Sequence, residues 1–184
     1  FSADMSPTEV GSFTAANAGF VRIEVRAPSD SEVLQTASVS LDPDTAYSLL
    51  VTGSGGQADG GLRIRANEMT VRSVANSINV HFINALSRTD EDGVNEVDFY
   101  ALGDDDSLSD SSAVLNGVGY LEGGSVVLGA KSYRFLTSTR NTHSILAGPE
   151  PLSGPQGHAK YIVTVSEAIG GGTPILLTVV QQDE

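Results

Sequence analysis

The sequence predicts an all-β chain of two tandem immunoglobulin-like β-sandwich units, the first incomplete at its N-terminal side. Three observations carry that expectation. Apolar and polar residues alternate with period two in short runs, as half-buried strands require. The runs are separated by Gly, Pro and Asp clusters that favour turns. The later runs also form an internal repeat, which signals two similar folding units. Read from Val10, VGSFTAANAGFVRIEV lines up with GGSVVLGAKSYRFLT from Gly123. AYSLLVTGSGGQADGGLRIRAN from Ala46 lines up with AKYIVTVSEAIGGGTPILLTVV from Ala159. The front section of the second copy, INVHFINALSRTDEDGVNEVDFYAL from Ile78, has no counterpart before Val10.

In chain order, Phe20 to Arg26 alternates apolar and charged residues and reads as a strand with one solvated face. Residues 38–41 alternate too and run into the turn Asp42-Pro43-Asp44. Residues 47–52 form a compact strand ending in the glycine-rich loop 53–61, and 62–65 alternates again. About five strands are expected in a first unit over residues 1–73, with the junction near 74–77. The second unit, 74–184, offers seven: 78–85, 96–101, 125–128, 133–137, 143–146, 160–165 and 175–181. Seven short strands with such turns suit a sandwich of immunoglobulin type. Helical periodicity is absent beyond a turn or two.

Composition narrows the function classes. Ten Lys plus Arg against 23 Asp plus Glu leave a formal charge of -13. Nucleic acid and anionic membrane surfaces are recognised with basic clusters, so neither is an expected partner. With 40% hydrophobic residues the chain can fill a core. It has no cysteine, which removes disulfides, thiol catalysis and most structural zinc sites. The apolar run 174–180 is far shorter than the ~20 residues of a membrane helix, so no membrane-spanning segment is expected. The start at Phe1 suggests a processed or excerpted chain.

Two acidic loops suggest calcium, which takes six to eight oxygen ligands from loops. One runs from Asp90 through Asp92 to Asp98; the other holds Asp104 and Asp106. Asp90, Asp92, Asp98, Asp104 and Asp106 are thus the candidate metal ligands, although neither loop has EF-hand spacing. Solvated turns in a very acidic chain are the plainer reading, and no other cofactor is expected. His81, His143 and His158 lack metal-binding spacing, and Ser144 has no Gly-x-Ser-x-Gly elbow. The glycine clusters lack the Lys-Ser/Thr of a phosphate loop and read as hairpin turns. Phe99, Tyr100, Tyr120 and Tyr133 could stack on a glycan, but core packing explains alternating aromatics better.

The second unit resembles a known family. HFINALSRTDEDGVNEVDFYAL from His81 is similar to that family's opening signature: a strand ending in Asn-Ala, a loop, then a Val-Asp-x-Tyr-like strand. Lys160-Tyr161-Ile162-Val163-Thr164-Val165, like Ala46-Tyr47-Ser48-Leu49-Leu50-Val51, resembles its later Ala-Tyr-Thr-Val strand. The family is the secreted bacterial domain of unknown function family 4397. The resemblance covers most of 78–181 and only the later strands of 10–66. Arg88-Thr89-Asp90-Glu91-Asp92 replaces its proline-rich loop. It implies tandem β-sandwich units and an extracellular or cell-surface location, and it carries over no catalytic residues.

A first unit lacking two strands would leave apolar side chains uncovered at ~1.5–3 kcal/mol each, a sum comparable to a domain's whole stability. Three expectations stand for what covers it: strands missing from an excerpted chain, a strand from a neighbouring subunit, or residues 1–10 or 69–77 of the same chain. The expected function is accordingly a non-enzymatic structural or adhesive protein at a bacterial surface, self-associating with neighbouring subunits as a filament. A glycan- or calcium-binding surface module is the alternative.

Overall fold

The computed structural model describes residues 11, 14–27, 32–53, 61–70, 74–86, 96–168 and 173–182. The chain is all-β, with antiparallel sheets in two sandwich-like groups. It divides into two compact units, Phe1–Met69 and Thr70–Glu184.

The first unit holds two antiparallel hairpins. β1 (Gly19–Arg26) pairs with β2 (Val33–Leu41), placing Val21 opposite Val39 and Ile23 opposite Ala37. Directly opposed residues share a face, so these apolar side chains line one side. On the other side Glu24 forms ion pairs with Arg22 and Arg26. β3 (Ala46–Thr52) pairs with β4 (Arg63–Met69), and β2 lies against β4. The link from β2 to β3 turns at Asp44, whose φ of 57° is left-handed, a conformation that aspartate tolerates. The Asp42 amide donates to the Tyr47 hydroxyl at 3.1 Å across this turn. Four strands are therefore described in this unit, against about five expected; residues 1–10 lie outside the described set.

Among the described residues the second unit holds eight strands: β5 (Ser77–Asn84), β6 (Val97–Leu102), β7 (Leu115–Val118), β8 (Gly123–Gly129), β9 (Tyr133–Thr139), β10 (Ile145–Leu152), β11 (Lys160–Glu167) and β12 (Ile175–Gln182). They form two four-stranded sheets, ordered β10-β9-β6-β7 and β12-β11-β5-β8. A 3-10 turn, Leu108–Asp110, lies between β6 and β7. All pairings are antiparallel except β5 with β11, which runs parallel from Asn79 beside Lys160 to Asn84 beside Val165. That parallel pair departs from a purely hairpin-connected sandwich.

The core of this unit lies between its sheets. Phe82 of one sheet meets Phe99 and Phe135 of the other at ring centroid distances of 5.0 and 5.6 Å. Ile78, Val80, Val97, Tyr161, Val163 and Val165 pack in the same cluster. Every residue of β5 is buried, because β8 and β11 flank it. Ser77, His81 and Asn84 are held there by side-chain hydrogen bonds. Asn84 donates through Nδ2 to the Val118 carbonyl at 2.9 Å and accepts from the Leu86 amide at 3.0 Å. Gly148 sits in β10 at φ +96°, where a Cβ would come within 2.6 Å of the Phe135 carbonyl oxygen. Only glycine fits there.

Candidate functional site

The described acidic candidates, Asp98, Asp104 and Asp106, do not converge. Asp98, in β6, is buried, and both carboxylate oxygens are engaged by backbone amides. The Gly117 amide donates to Oδ1 and the Asn141 amide to Oδ2, each at 2.8 Å. The carboxylate thus ties β6 to β7 and to the turn between β9 and β10. Asp104 and Asp106 follow the far end of β6, and Asp106 Oδ2 accepts from the Gly103 amide at 2.7 Å. The strand from Asp98 to Leu102 rises about 13 Å, so they stand at its opposite end from Asp98. Arg134 of β9 reaches across this turn, and its Nη2 donates to the carbonyls of Gly103, Asp104 and Asp106 at 3.0, 3.3 and 2.8 Å. A guanidinium therefore occupies the ring of carbonyls that a hard cation would use. Asp90 and Asp92 lie outside the described residues. Among the described residues no group of three or more His, Cys, Asp or Glu side chains could hold a metal ion.

The histidines are likewise dispersed. His81 lies buried in β5, with Nδ1 2.9 Å from the Ser125 hydroxyl, which also accepts from the Thr70 amide at 3.0 Å. Burial lowers its pKa from 6.5 to about 4, so the ring is neutral near pH 7. His143 is exposed beside Tyr100, with ring centroids 6.2 Å apart. His158 sits in a left-handed turn, φ 74°, lining a polar depression of about 240 Å³ with Gln156 and Lys160. Phe99, Tyr100 and Tyr133 are buried, which leaves them no face for stacking on a glycan, while Tyr120 is half-buried.

The feature that separates the two units is the fate of equivalent positions. The internal repeat sets β1 against β9, β3 against β11 and β4 against β12. Val21-Arg22-Ile23 falls on Tyr133-Arg134-Phe135. β3 starts at Ala46 and β11 at Lys160, so Tyr47, Leu49 and Val51 fall on Tyr161, Val163 and Val165. This is the match of Ala46–Val51 with Lys160–Val165, one residue away from that of Ala46 with Ala159, and a one-residue slip exchanges the faces of a strand. The hairpin registers agree with this match. Leu49 and Val51 oppose Ala66 and Ile64, as Val163 and Val165 oppose Val179 and Leu177.

Burial at these matched positions differs sharply. Val163 and Val165 are 0% exposed, whereas Leu49 is 41% and Val51 44% exposed. Burial in this hairpin falls instead on the opposite face, at Ser48, Asn67 and Met69. Val21, Ile23 and Val25 are half-buried where Tyr133, Phe135 and Thr137 are buried. In the second unit β5 flanks β11 and β6 flanks β9. Among the described residues no strand flanks β3 or β1 in those places.

Comparison of the chain with models of protein families and with curated proteins returns no match. The candidate site is thus defined by geometry: the apolar face of β3 and β4, with the β1 face beside it in sequence equivalence. The repeat pointed to these strands. The roles of Asp98 and Arg134 escaped sequence reasoning, because nothing in the alternation marks a side chain that bonds backbone groups far along the chain.

Proposed function

We propose that this chain is a non-enzymatic structural or adhesive protein of a bacterial surface, a subunit that joins its neighbours by strand addition at the first unit. The observation that carries this reading is the exposure of Leu49 and Val51 where their counterparts Val163 and Val165 are sealed. Each forgoes about 1 kcal/mol of burial that an added strand would restore. A sheet edge beside such a face is a template for another strand. The surface location draws support from the resemblance to family 4397, and the acidic charge suits an exposed, soluble subunit.

Sedimentation of the full chain over a range of concentrations tests the reading. Assembly that grows with concentration and weakens in the Leu49→Asp, Val51→Asp double variant is expected. A chain that stays monomeric at its solubility limit would count against it.

A further inference from the structure

We propose that Asn116–Gly117 is a self-modification site, where asparagine converts to aspartate and isoaspartate, and that Asp98 keeps it closed while β7 stays docked. The site concerns the second unit alone and stands whether or not the first unit takes a strand. The chain contains one Asn-Gly step, and β7 carries it. Strand pairing sets Leu115 opposite Phe99 and Val118 opposite Val97, so Asn116 and Gly117 together face the single residue Asp98. Two residues against one make a β-bulge, and Gly117 supplies its left-handed backbone at φ +62°. The bulge thus calls for glycine, and glycine after asparagine leaves the main-chain nitrogen unshielded by a Cβ. Asn116 is exposed and β7 is the edge strand of its sheet, so water reaches the carboxamide.

The chemistry needs no reagent but water. The Gly117 nitrogen gives up its proton and bonds to Cγ of Asn116. The bond from Cγ to Nδ2 breaks, and that nitrogen leaves with the proton as ammonia. Water then opens the cyclic imide at either carbonyl, giving aspartate or isoaspartate. In the folded chain the attacking nitrogen is engaged: its N–H donates to Oδ1 of buried Asp98 at 2.8 Å. Attack must first break this charge-assisted bond, and a nitrogen stripped of its proton would sit in contact with a carboxylate. Arg140 is the cation nearby, its Nε 3.1 Å from where a Cβ on Gly117 would stand, and it is paired with Glu96. Conversion therefore waits until β7 lifts from β6. Isoaspartate then adds a carbon to the main chain, so the Gly117 amide no longer meets Asp98 when the strand returns.

Peptide mass spectrometry of the full chain, aged in mildly alkaline buffer, tests this through a gain of about 1 Da at Asn116. Asn76, followed by Ser77 in the same unit, is the internal control. Conversion of Asn116 should be about tenfold or more slower in the folded chain than in the same chain held in urea. Asp98→Asn should speed it about tenfold in the folded state and leave Asn76 unchanged. The isoaspartyl chain, separated by anion exchange, should show faster amide exchange across 115–118 than the unaged chain. Absence of conversion in urea would overturn the site. Equal rates folded and in urea, an Asp98→Asn chain that ages no faster at Asn116, or equal acceleration at Asn116 and Asn76 would each overturn the gate. Where Asp98→Asn does not fold, the comparison in urea decides by itself. Unchanged exchange in the isoaspartyl chain would overturn the failure to re-dock.

Discussion

At the scale of single residues, the second unit stakes its stability on a few buried polar groups. His81 folds as a neutral ring because its surroundings disfavour charge, and its pKa falls to about 4. Below pH 6.5 the unfolded chain binds a proton that the folded one refuses. Stability should therefore be level above about pH 7 and fall as the pH drops from 6.5 towards 4, by roughly 3 kcal/mol in all. Urea unfolding at pH 7 and pH 4.5 measures this, and His81→Gln should flatten the dependence. Asp98 is the other such group. Asp98→Ala leaves the Gly117 and Asn141 amides without their acceptor, and a loss of about 2–4 kcal/mol is expected in the same measurement. Asp98→Asn should cost less, since one oxygen remains to accept.

At the scale of strands and hairpins, Val51 and Val165 provide a natural control. They are the same residue at matched positions of β3 and β11, one 44% exposed and the other sealed. Val165→Ala should cost about 2 kcal/mol and Val51→Ala well under 1, as read from amide exchange within each hairpin. Gly148→Ala forces a Cβ against the Phe135 carbonyl, and thermal unfolding should show a loss of about 2–4 kcal/mol. Most strands were legible because alternation and turn chemistry mark them directly. Phe20 to Arg26 and Lys160 to Val165 fall inside β1 and β11. β7 was not legible: Leu115-Asn116-Gly117-Val118 is four residues long, with a glycine inside and no alternation. It is held in place by Asp98, a long-range bond that no local pattern reveals. The parallel β5–β11 pair escaped for the same reason, since the residues that pair lie far apart in sequence. Arg134 at the turn of Asp104 and Asp106 was not legible either, since β9 pairing with β6 brings it there.

At the scale of the whole chain, the two units should differ in resilience. The second has a core closed between two four-stranded sheets, while the first is described as two hairpins with half-open faces. Amide exchange is therefore expected to be faster throughout β1 to β4 than in β5, β6, β9 and β11. Brief proteolysis should accumulate a fragment close to Thr70–Glu184. Equal protection of both units would mean that the hairpin faces are covered in solution.

The parallel alignment of β5 with β11 also has a kinetic side. Asn79 and Lys160 are neighbours in space, yet about 80 residues of chain separate them. Contacts so remote in sequence make for slow acquisition of structure, because a long loop must close before any pairing energy is gained. During synthesis, Ser77–Asn84 leaves the ribosome well before Lys160–Glu167 exists. Its Ile78, Val80 and Phe82 then wait uncovered as a sticky ribbon, and this interval is when a newly made molecule is most open to capture by a chaperone or by another nascent chain.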